Sequence, residues 1–492
     1  MTAAYILAID QGTTSTRAIL FDTSGRALYQ HHELITQSYP HDGWVEHDPE
    51  QIWQSVVTCC HTVVQQAHID PAQIISIGIT NQRETTILWD KHTGKAIYPA
   101  IVWQDRRTSR FCQQLKKDAA FEQYVQKTTG LLLDPYLSAS KISWILNHVP
   151  ATHIDDCLFG TVDSYLLWRL TAGRSHKTCA TNASRTLLYD IHQQRWDTHL
   201  LERFGIPASL LPSVHDNIHH FGVASTLFTD KHIAINAMIG DQQAALIGQG
   251  CINPGQIKIT FGTGCFLLAN TGTHAIPSCH RLLTTIAYRV DGVCHYGMEG
   301  SLFHAGTVVR WLKDNLKIAD DPDAIVKLAH TVENTHGVCF IPAFTGLGAP
   351  LWDPDAKAAI FGLTHQTQTA HIARAALESI CYQVKAIILA MQADGLPENH
   401  DYRVDGGMSR QPQFLQLLAN ILAVNIQKPK ETECSAQGAA YLAGIGAGVY
   451  TNLAETASMW QQDQAYESQL SKNDSAQIYQ QWQRALQRVR ST

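Results

Sequence analysis

The segment YILAIDQGTTSTRAILFD, residues 5–22, constrains the fold of this chain more than any other. Two apolar runs of the kind that form buried strands flank a Gly-Thr-Thr turn, a pattern that predicts a β-hairpin. Asp10 ends the first run, although aspartate is depleted in strands and a buried carboxylate is costly without a partner. The hairpin therefore indicates a specific task for Asp10, and the hydroxyl groups that follow it indicate a bound ligand.

The same pattern returns in IKITFGTGCFLLAN, residues 257–270, which predicts a second hairpin at the start of the second half. Gly-Thr dipeptides are common, but the position of each hairpin at the head of a half favours an internal duplication. A chain of 492 residues is expected to contain at least two domains. Glycine and proline cluster in GQGCINPGQ, residues 248–256, so we predict domains at 1–250 and 251–492.

Strands and helices are predicted to alternate along the chain. QIISIGIT, AIVWQDR and HIAINAMIGD have the β-branched composition of strands. Asp48 and Pro49 predict the start of a helix, and helical apolar spacing recurs over residues 371–392 and 414–422. A last helix is predicted to dock through one face, formed by Ile478, Trp482, Leu486 and Val489. The mixture predicts an α/β fold in which helices cover sheets.

Composition excludes several classes of protein. A formal charge of −6, with both signs scattered, provides no basic surface for nucleic acid. No run approaches the roughly 18 apolar residues that a membrane segment needs. The N-terminal apolar run lacks a preceding basic region and is therefore expected to be a strand, not a signal peptide. The 12 cysteines show no CxxC or paired spacing, as is typical of reduced thiols, so we expect a soluble cytoplasmic protein.

Three aspartates, Asp10, Asp241 and Asp405, each follow a predicted strand and lie near glycine. Ligands of open α/β sheets bind beyond the carboxyl ends of the strands. Glycines let backbone amides approach phosphate oxygens, and carboxylates with hydroxyls suit Mg²⁺ bound to a polyphosphate. We therefore predict that these aspartates line one cleft between two domains, which binds a magnesium-nucleotide.

Local alternatives exist for two of these aspartates. Asp241 precedes a helical pattern and could be only its N-cap, while Asp405 with Gly406 could form a simple turn. The chain contains neither GxxxxGK[ST] nor a GxGxxG that opens a helix after a strand. Any bound phosphates are therefore expected to be held by the hairpin turns.

AIDQGTTSTRA, GTGCF and VDGG resemble the phosphate-1, phosphate-2 and adenosine motifs of the actin/Hsp70/sugar-kinase ATPase superfamily. Within it the chain resembles the FGGY carbohydrate kinases, through GWVEHDP, SKISWIL, TNASRTLLYD and AAIFGLTHQTQTAHIARAALES. The resemblance runs from about residue 4 to about residue 450. It implies two RNase-H-like (actin-like ATPase) domains with ATP in the cleft between them.

The resemblance also implies roles for individual residues at the nucleotide. Asp10 would act on Mg²⁺ through water, and Asp241 is a second candidate metal contact. Arg310 and Gln411 depart from the family pattern on the adenosine side and are left out of the predicted site. The predicted nucleotide-binding residues are Thr13, Thr14, Ser15, Arg17, Thr263, Gly306 and Gly407.

The block NQRET, with WQDRRT, DPYLSASK, GDQQAALIGQ and FTGLGAPLWDPDA, resembles the FGGY members that phosphorylate glycerol; sugar-specific members usually differ at NQRET. Arg83 would donate to adjacent hydroxyls, Glu84 would accept from them, and Asp241 would be the catalytic base. A kinase for another small polyol or ketose, or a non-catalytic nucleotide sensor on the same fold, is the alternative. The predicted substrate-binding residues are Arg83, Glu84, Trp103, Tyr136, Asp241, Gln242 and Phe266.

One geometric condition applies to Arg83 and Glu84. Neighbours on a regular strand point to opposite faces, so the two side chains can share a ligand only if the backbone turns after Thr80. Asn81 permits such a turn. A solvated surface pair is the alternative interpretation.

We expect the protein to form a homo-oligomer, either a dimer or a tetramer, with glycerol and ATP as its small-molecule partners.

Overall fold

A computed structural model describes residues 4–149, 154–397 and 401–491. The helices are α1 (Pro49–Ala67), α2 (Ser109–Leu115), α3 (Ala119–Thr129), α4 (Ser138–His148), α5 (Val162–Leu170), α6 (Ala180–Ala183), α7 (Thr198–Phe204), α8 (Asp241–Gly248), α9 (Gly306–Asp314), α10 (Pro322–Ala329), α11 (Thr369–Ala393), α12 (Pro412–Leu422), α13 (Cys434–Gly446), α14 (Leu453–Ser458) and α15 (Lys472–Leu486). The strands of the two large sheets are β1 (Tyr5–Gln11), β2 (Ser15–Asp22), β3 (Ala27–Leu34), β5 (Ile74–Asn81), β13 (Ile218–Phe228), β14 (Lys231–Gly240), β15 (Ile257–Phe261), β16 (Cys265–Gly272), β17 (Leu283–Val290), β18 (Val293–Leu302), β21 (Tyr402–Gly406), β22 (Ile426–Pro429) and β23 (Gln462–Tyr466). The short strands are β4 (Glu46–His47), β6 (Ile87–Asp90), β7 (Ala100–Ile101), β8 (Cys157–Gly160), β9 (Lys177–Cys179), β10 (Tyr189–Asp190), β11 (Arg195–Trp196), β12 (Ser213–His215), β19 (Cys339–Ile341) and β20 (Ala359–Phe361).

The two large sheets are built in the same way around a central hairpin. The first has the strand order β13-β14-β5-β1-β2-β3, and the second has the order β17-β18-β16-β15-β21-β22-β23. β1 pairs antiparallel with β2 and parallel with β5, while β15 pairs antiparallel with β16 and parallel with β21. Both predicted hairpins are therefore confirmed, as is the α/β fold.

The helices cover these sheets largely as the apolar spacing predicts. α1 begins at Pro49, and the carboxylate of its N-cap Asp48 accepts the backbone N–H of Glu50 at 2.9 Å. α15 docks on the second half, where buried Trp482 donates from its indole nitrogen to the carbonyl oxygen of Phe340. Val489 lies beyond the end of α15, but it packs against the same core as Ile478, Trp482 and Leu486, so the predicted docking face is confirmed.

The predicted strand over AIVWQDR is wrong beyond its first two residues. Only Ala100–Ile101 is a strand, and the chain then turns. The turn follows from Asp105, whose buried carboxylate accepts the backbone N–H groups of Val45 and Arg107. A side chain that satisfies nearby backbone donors competes with a regular strand ladder.

Two predicted absences can be compared with the structure. No helix among the described residues has the length and apolar character needed to cross a bilayer. All 12 cysteines are free thiols, and ten of them are buried.

Helix α13 belongs to the second half of the sequence but packs on the first sheet. It lies against α8 and against β5, β1 and β14, and forms a mixed core with them. The predicted boundary at residue 250 falls between α8 and β15, and α13 crosses back over it in space. The close approach depends on glycine, because a Cβ at Gly438 would lie 1.9 Å from the carbonyl oxygen of Ala244.

Replacing Gly438 should therefore destabilise the whole protein. We expect Gly438→Ala to lower the free energy of unfolding by about 1–3 kcal/mol, since the added methyl group must push α13 away from α8. Thermal melting of the purified variant measures this loss. Ala447→Val, at the exposed end of the same helix, is the control and should melt close to the unmodified protein. Equal melting temperatures for Gly438→Ala and the unmodified protein would contradict the close packing.

Candidate active site

Three parallel strands bring Asp10 and Asp241 to the same edge of the first sheet. In the register of the sheet, Thr80 on β5 lies opposite Asp10 on β1 and opposite Ile239 on β14. β14 ends at Gly240, and Asp241 is the first residue of α8. The carboxyl ends of β1, β5 and β14 therefore place both aspartates beside one crevice, as such sheets do for ligands.

The electrostatics of Asp10 fit a place for a cation. Burial raises the pKa of Asp10 to about 7; the charge of Arg17 opposes the shift, and those of Asp241 and Glu433 add to it. Carboxylates that raise one another's pKa lose that repulsion when a divalent cation binds near them. The described residues contain no cluster of three or more His, Cys, Asp or Glu side chains able to hold a metal. The carboxylates of Asp10 and Asp241 fit Mg²⁺, which keeps several waters and is bound by one or two carboxylates besides phosphate oxygens.

The helix-cap interpretation of Asp241 is not what the structure shows. The N-cap position of α8 is Gly240, which makes no side-chain cap. The carboxylate of Asp241 instead accepts the N–H of Gln242 at 2.7 Å and lies 3.2 Å from Nε of Arg83. About a quarter of this side chain is exposed (26%), so it can be reached from the crevice.

Arg83 and Glu84 leave β5 in a tight turn. Glu84 has a φ of 61°, in the left-handed region, and the N–H of Thr85 donates to the carbonyl oxygen of Arg83 at 2.7 Å. The required turn after Thr80 is thus present, at Glu84 and not at Asn81. Arg83 and Glu84 are only 2% and 1% exposed, so the solvated-pair interpretation is wrong.

These two residues belong to a buried chain of alternating charges. Arg83 contacts Asp241 and also Glu299, with 2.5 Å between Nη1 and Oε2. Arg185 contacts Glu299 at 3.0 Å and Glu84 at 2.6 Å. The chain Glu84–Arg185–Glu299–Arg83–Asp241 therefore runs from the predicted substrate residues to the predicted base.

Burial and the neighbouring charges shift the pKa values of Glu84 and Glu299 in opposite directions. Burial raises the pKa of Glu84, although Arg185 and Arg83 partly offset it. Burial would also raise the pKa of Glu299, but the positive charges of Arg185 and Arg83 outweigh it and hold that pKa below its usual value. The two arginines therefore favour the ionised form of Glu299.

Sequence reasoning missed Arg185 and Glu299. Glu299 is a charged residue inside the buried strand β18, the same signal that pointed to Asp10. That criterion applied to the whole chain would have found it. Arg185 lies in TNASRTLLYD, where nothing local marks it as buried.

Three aromatic side chains form apolar walls beside Arg83. The ring of Trp103 lies 5.6 Å from that of Tyr136 and 6.0 Å from that of Phe266, measured between centroids. Nη2 of Arg83 lies 3.5 Å from the hydroxyl of Tyr136. Because Phe266 belongs to the second hairpin, both halves of the chain contribute to this aromatic group.

Trp103 also connects the pocket to the first hairpin turn, because its indole N–H donates to Oγ1 of Thr13 at 2.8 Å. Thr13, Thr14 and Ser15 form the partly exposed end of this hairpin. Nη1 of Arg17 lies 2.6 Å from Glu433, just before α13, so an ion pair joins the first hairpin to the second half.

The predicted nucleotide residues of the second half also come together. The carbonyl oxygen of Thr263, in the second hairpin turn, accepts the N–H groups of Ala305 and Thr307 at the start of α9. Gly306 donates to the carbonyl oxygen of Gly262. Gly407 follows β21, whose last residue lies opposite Phe261, and a Cβ at Gly407 would meet open space. One end of the second sheet therefore gathers Thr263, Gly306 and Gly407.

Asp405 is predicted from the sequence to line the cleft, but it is buried. It is 3% exposed, and burial raises its pKa despite the nearby charge of Lys258. Lys258, itself buried with a lowered pKa because of that burial, donates to the side chain of Gln242 and to Thr260. Asp405 therefore lies beneath the cleft, next to a lysine that links the halves through the predicted substrate residue Gln242.

Comparison with known proteins identifies the family. Residues 5–248 match the N-terminal domain of the FGGY family of carbohydrate kinases, and residues 257–447 match its C-terminal domain. The glycerol kinase of Coxiella burnetii (strain RSA 331 / Henzerling II) is 51% identical over 492 residues, covering 99% of this chain and 98% of that protein. This chain belongs to the FGGY family of carbohydrate kinases.

Other FGGY proteins agree with this placement. Glycerol kinase 1 of Pseudomonas aeruginosa is 48% identical, with 99% of each chain covered. The crystal structure of Plasmodium falciparum glycerol kinase with ADP has a TM-score of 0.92 and 36% identity, covering 99% of this chain and 98% of that chain. Xylulose kinase from Lactobacillus acidophilus has a TM-score of 0.88 at 23% identity, covering 98% and 97%, and shares the fold.

The ion pair between Arg17 and Glu433 makes a testable statement about nucleotide binding. We expect Glu433→Gln to lower the KM for ATP by about fivefold, or roughly 1 kcal/mol, because it frees Arg17, which is predicted to donate to the phosphates, and removes the negative charge paired with it. Steady-state kinetics with varied ATP measures the change. Glu202→Gln, which removes the same charge from an exposed position of α7, is the control. A raised KM for ATP in Glu433→Gln would contradict the prediction.

Proposed function

We propose that this protein transfers the γ-phosphoryl group of ATP to a terminal hydroxyl of glycerol, giving sn-glycerol 3-phosphate and ADP. The observation that carries the proposal is the ion pair between Arg83 and Asp241, next to the grouped rings of Trp103, Tyr136 and Phe266. Full-length relatives at 51% and 48% identity are glycerol kinases, which supports the same substrate here.

The pocket suits a short polyol. The guanidinium of Arg83 donates from several N–H groups, and the carboxylate of Glu84 accepts from hydroxyls, so together they bind two adjacent hydroxyls of glycerol. Trp103 and Phe266 contact the C–H face of the carbon chain, while Tyr136 and Gln242 provide further polar contacts. Both charged residues are held by buried partners, so glycerol meets a preformed site.

Asp241 is the proposed base of the transfer. The attacking hydroxyl loses its proton to the Asp241 carboxylate as its oxygen bonds to the γ-phosphorus, and the bond to the β-phosphate oxygen breaks to release ADP. Such a loose transition state requires placement and charge stabilisation more than covalent chemistry from the protein. When bound, Mg²⁺ would neutralise charge on the phosphates. Asp10 would hold it through water, with Asp241 as the second candidate contact.

The nucleotide is proposed to lie across the two hairpin turns. Thr13, Thr14, Ser15 and Arg17 would donate to phosphates from the first half, and Thr263 from the second. Gly306 and Gly407 would border the adenosine. Since both halves contribute, closing them around the substrates excludes water, which could otherwise take the phosphoryl group.

Coupled measurement of ADP release over a panel of small polyols tests this proposal. We expect glycerol to have the highest kcat/KM among glycerol, erythritol, dihydroxyacetone and xylulose. A higher value for another compound would make the protein an FGGY kinase of that substrate. ATP binding without ADP release for any of them would support a nucleotide sensor instead.

Asp241→Asn tests the catalytic base. The variant keeps the size and shape of the side chain but cannot accept the proton, so kcat should fall by about 10²-fold or more while glycerol and ATP still bind. Turnover and ligand-induced shifts in melting temperature measure the two properties separately. Asp216→Asn, which removes a carboxylate paired with Arg289 at 2.5 Å, is the control. Near-normal turnover of Asp241→Asn would remove Asp241 from this role.

A further inference from the structure

We propose that Glu299 and Arg185 are positioning residues that hold Arg83 and Glu84 in the arrangement that binds the polyol. Because Glu299 belongs to the second half and both arginines belong to the first, the positions of Arg83 and Glu84 also depend on the contact between the two halves. The inference rests on the proposed function, because it concerns how the same pocket recognises its hydroxyl groups.

Glu299 is fixed in the middle of the second sheet. It lies on β18, directly opposite Leu268 on β16 and Leu283 on β17. Arg83 follows β5 of the first sheet, and Arg185 follows α6, so both arginines belong to the first half. The two ion pairs of Glu299 therefore cross from one half of the protein to the other.

Glu299 holds Arg83, and Arg185 holds Glu84. Oε2 of Glu299 lies 2.5 Å from Nη1 of Arg83, which orients the guanidinium that is proposed to donate to glycerol. Nε of Arg185 lies 2.6 Å from Oε1 of Glu84, which orients the carboxylate that is proposed to accept from it. Nη2 of Arg185 lies 3.0 Å from the other oxygen of Glu299 and joins the two contacts.

Glu299 also limits how Arg83 interacts with the base. Arg83 is shared between Glu299 and Asp241, whose Oδ1 lies 3.2 Å from Nε. Without the charge of Glu299, Asp241 would be the remaining carboxylate in direct contact with Arg83. The guanidinium would then be drawn toward Asp241 and away from the position in which it donates to the substrate.

A purely structural role does not account well for this arrangement. The side chains of Arg83, Arg185 and Glu299 are between 0% and 2% exposed. Buried ion pairs are often no more stabilising than apolar residues of similar size, because desolvation offsets their attraction. Preorganisation of a binding site is a physical reason to keep such groups inside a protein.

Glu299→Gln and Arg185→Lys test the inference. Glutamine keeps the shape of Glu299 without its charge, and a lysine ammonium cannot bridge Glu84 and Glu299 as the guanidinium does. We expect each variant to raise the KM for glycerol by roughly 10-fold to 100-fold, as misplaced binding groups do. The KM for ATP should change by less than about threefold, since a loss confined to one substrate is a loss of its binding contacts. Glycerol should also stop raising the melting temperature, while ATP still raises it.

Glu378→Gln is the matched control. Glu378 is a glutamate in α11 whose side chain is 13% exposed and whose Oε1 lies 2.9 Å from Nε of Arg374. The same substitution there should lower the melting temperature but leave the KM for glycerol unchanged. The inference is wrong if Glu299→Gln and Arg185→Lys raise both KM values equally or behave as Glu378→Gln does. Failure of both variants to fold would also count against it, in favour of a folding role.

The design separates failure of this inference from failure of the proposed function. The function is judged on the unmodified protein alone, by its preference among polyols. If another polyol is preferred, the variants are measured with that polyol. A normal KM for it in both variants would then overturn the positioning role, whatever the substrate is.

Discussion

The active site depends on the mutual neutralisation of charges that are buried together. Arg83, Glu84, Arg185 and Glu299 would each be costly to bury alone, and each is tolerated because its neighbours carry the opposite charge. The consequence is a site with little freedom to rearrange, since moving one side chain leaves another without its partner. Rigidity of this kind places donors and acceptors before the substrate arrives.

Close packing of α13 provides the second condition for this site. Glycine at position 438 lets α13 touch α8, which begins with Asp241. The hydroxyl of Ser435, in the first turn of α13, donates to the carbonyl oxygen of Asp241 at 3.2 Å. Glu433, the residue just before α13, forms an ion pair with Arg17. A helix from the second half thus supports both the proposed base and the first hairpin. The packing of α13 is therefore connected to the hairpin that is proposed to bind phosphates.

The duplicated hairpins are the proposed phosphate-binding elements of a chain that has no P-loop motif. Each sheet has a central strand with an antiparallel partner on one side and a parallel strand on the other. In each case a short turn containing Gly-Thr lies at the carboxyl end of that central strand. In the proposed function, one turn from each half holds the polyphosphate.

Local sequence alone determined the hairpins, the α/β class and the cap of α1, and it marked Asp10 as a candidate functional residue. These features depend on residues within a few positions of each other. Local sequence also carried the family resemblance, through motifs that are contiguous in the chain. It did not show that Arg83 is buried, nor did it reveal Glu299, its partner 216 residues away, or Arg185, 114 residues from Glu299. Only the tertiary structure decided these pairs. Charge partners so distant in sequence leave no periodic pattern, and an ionic side chain can be buried only where folding brings its partner.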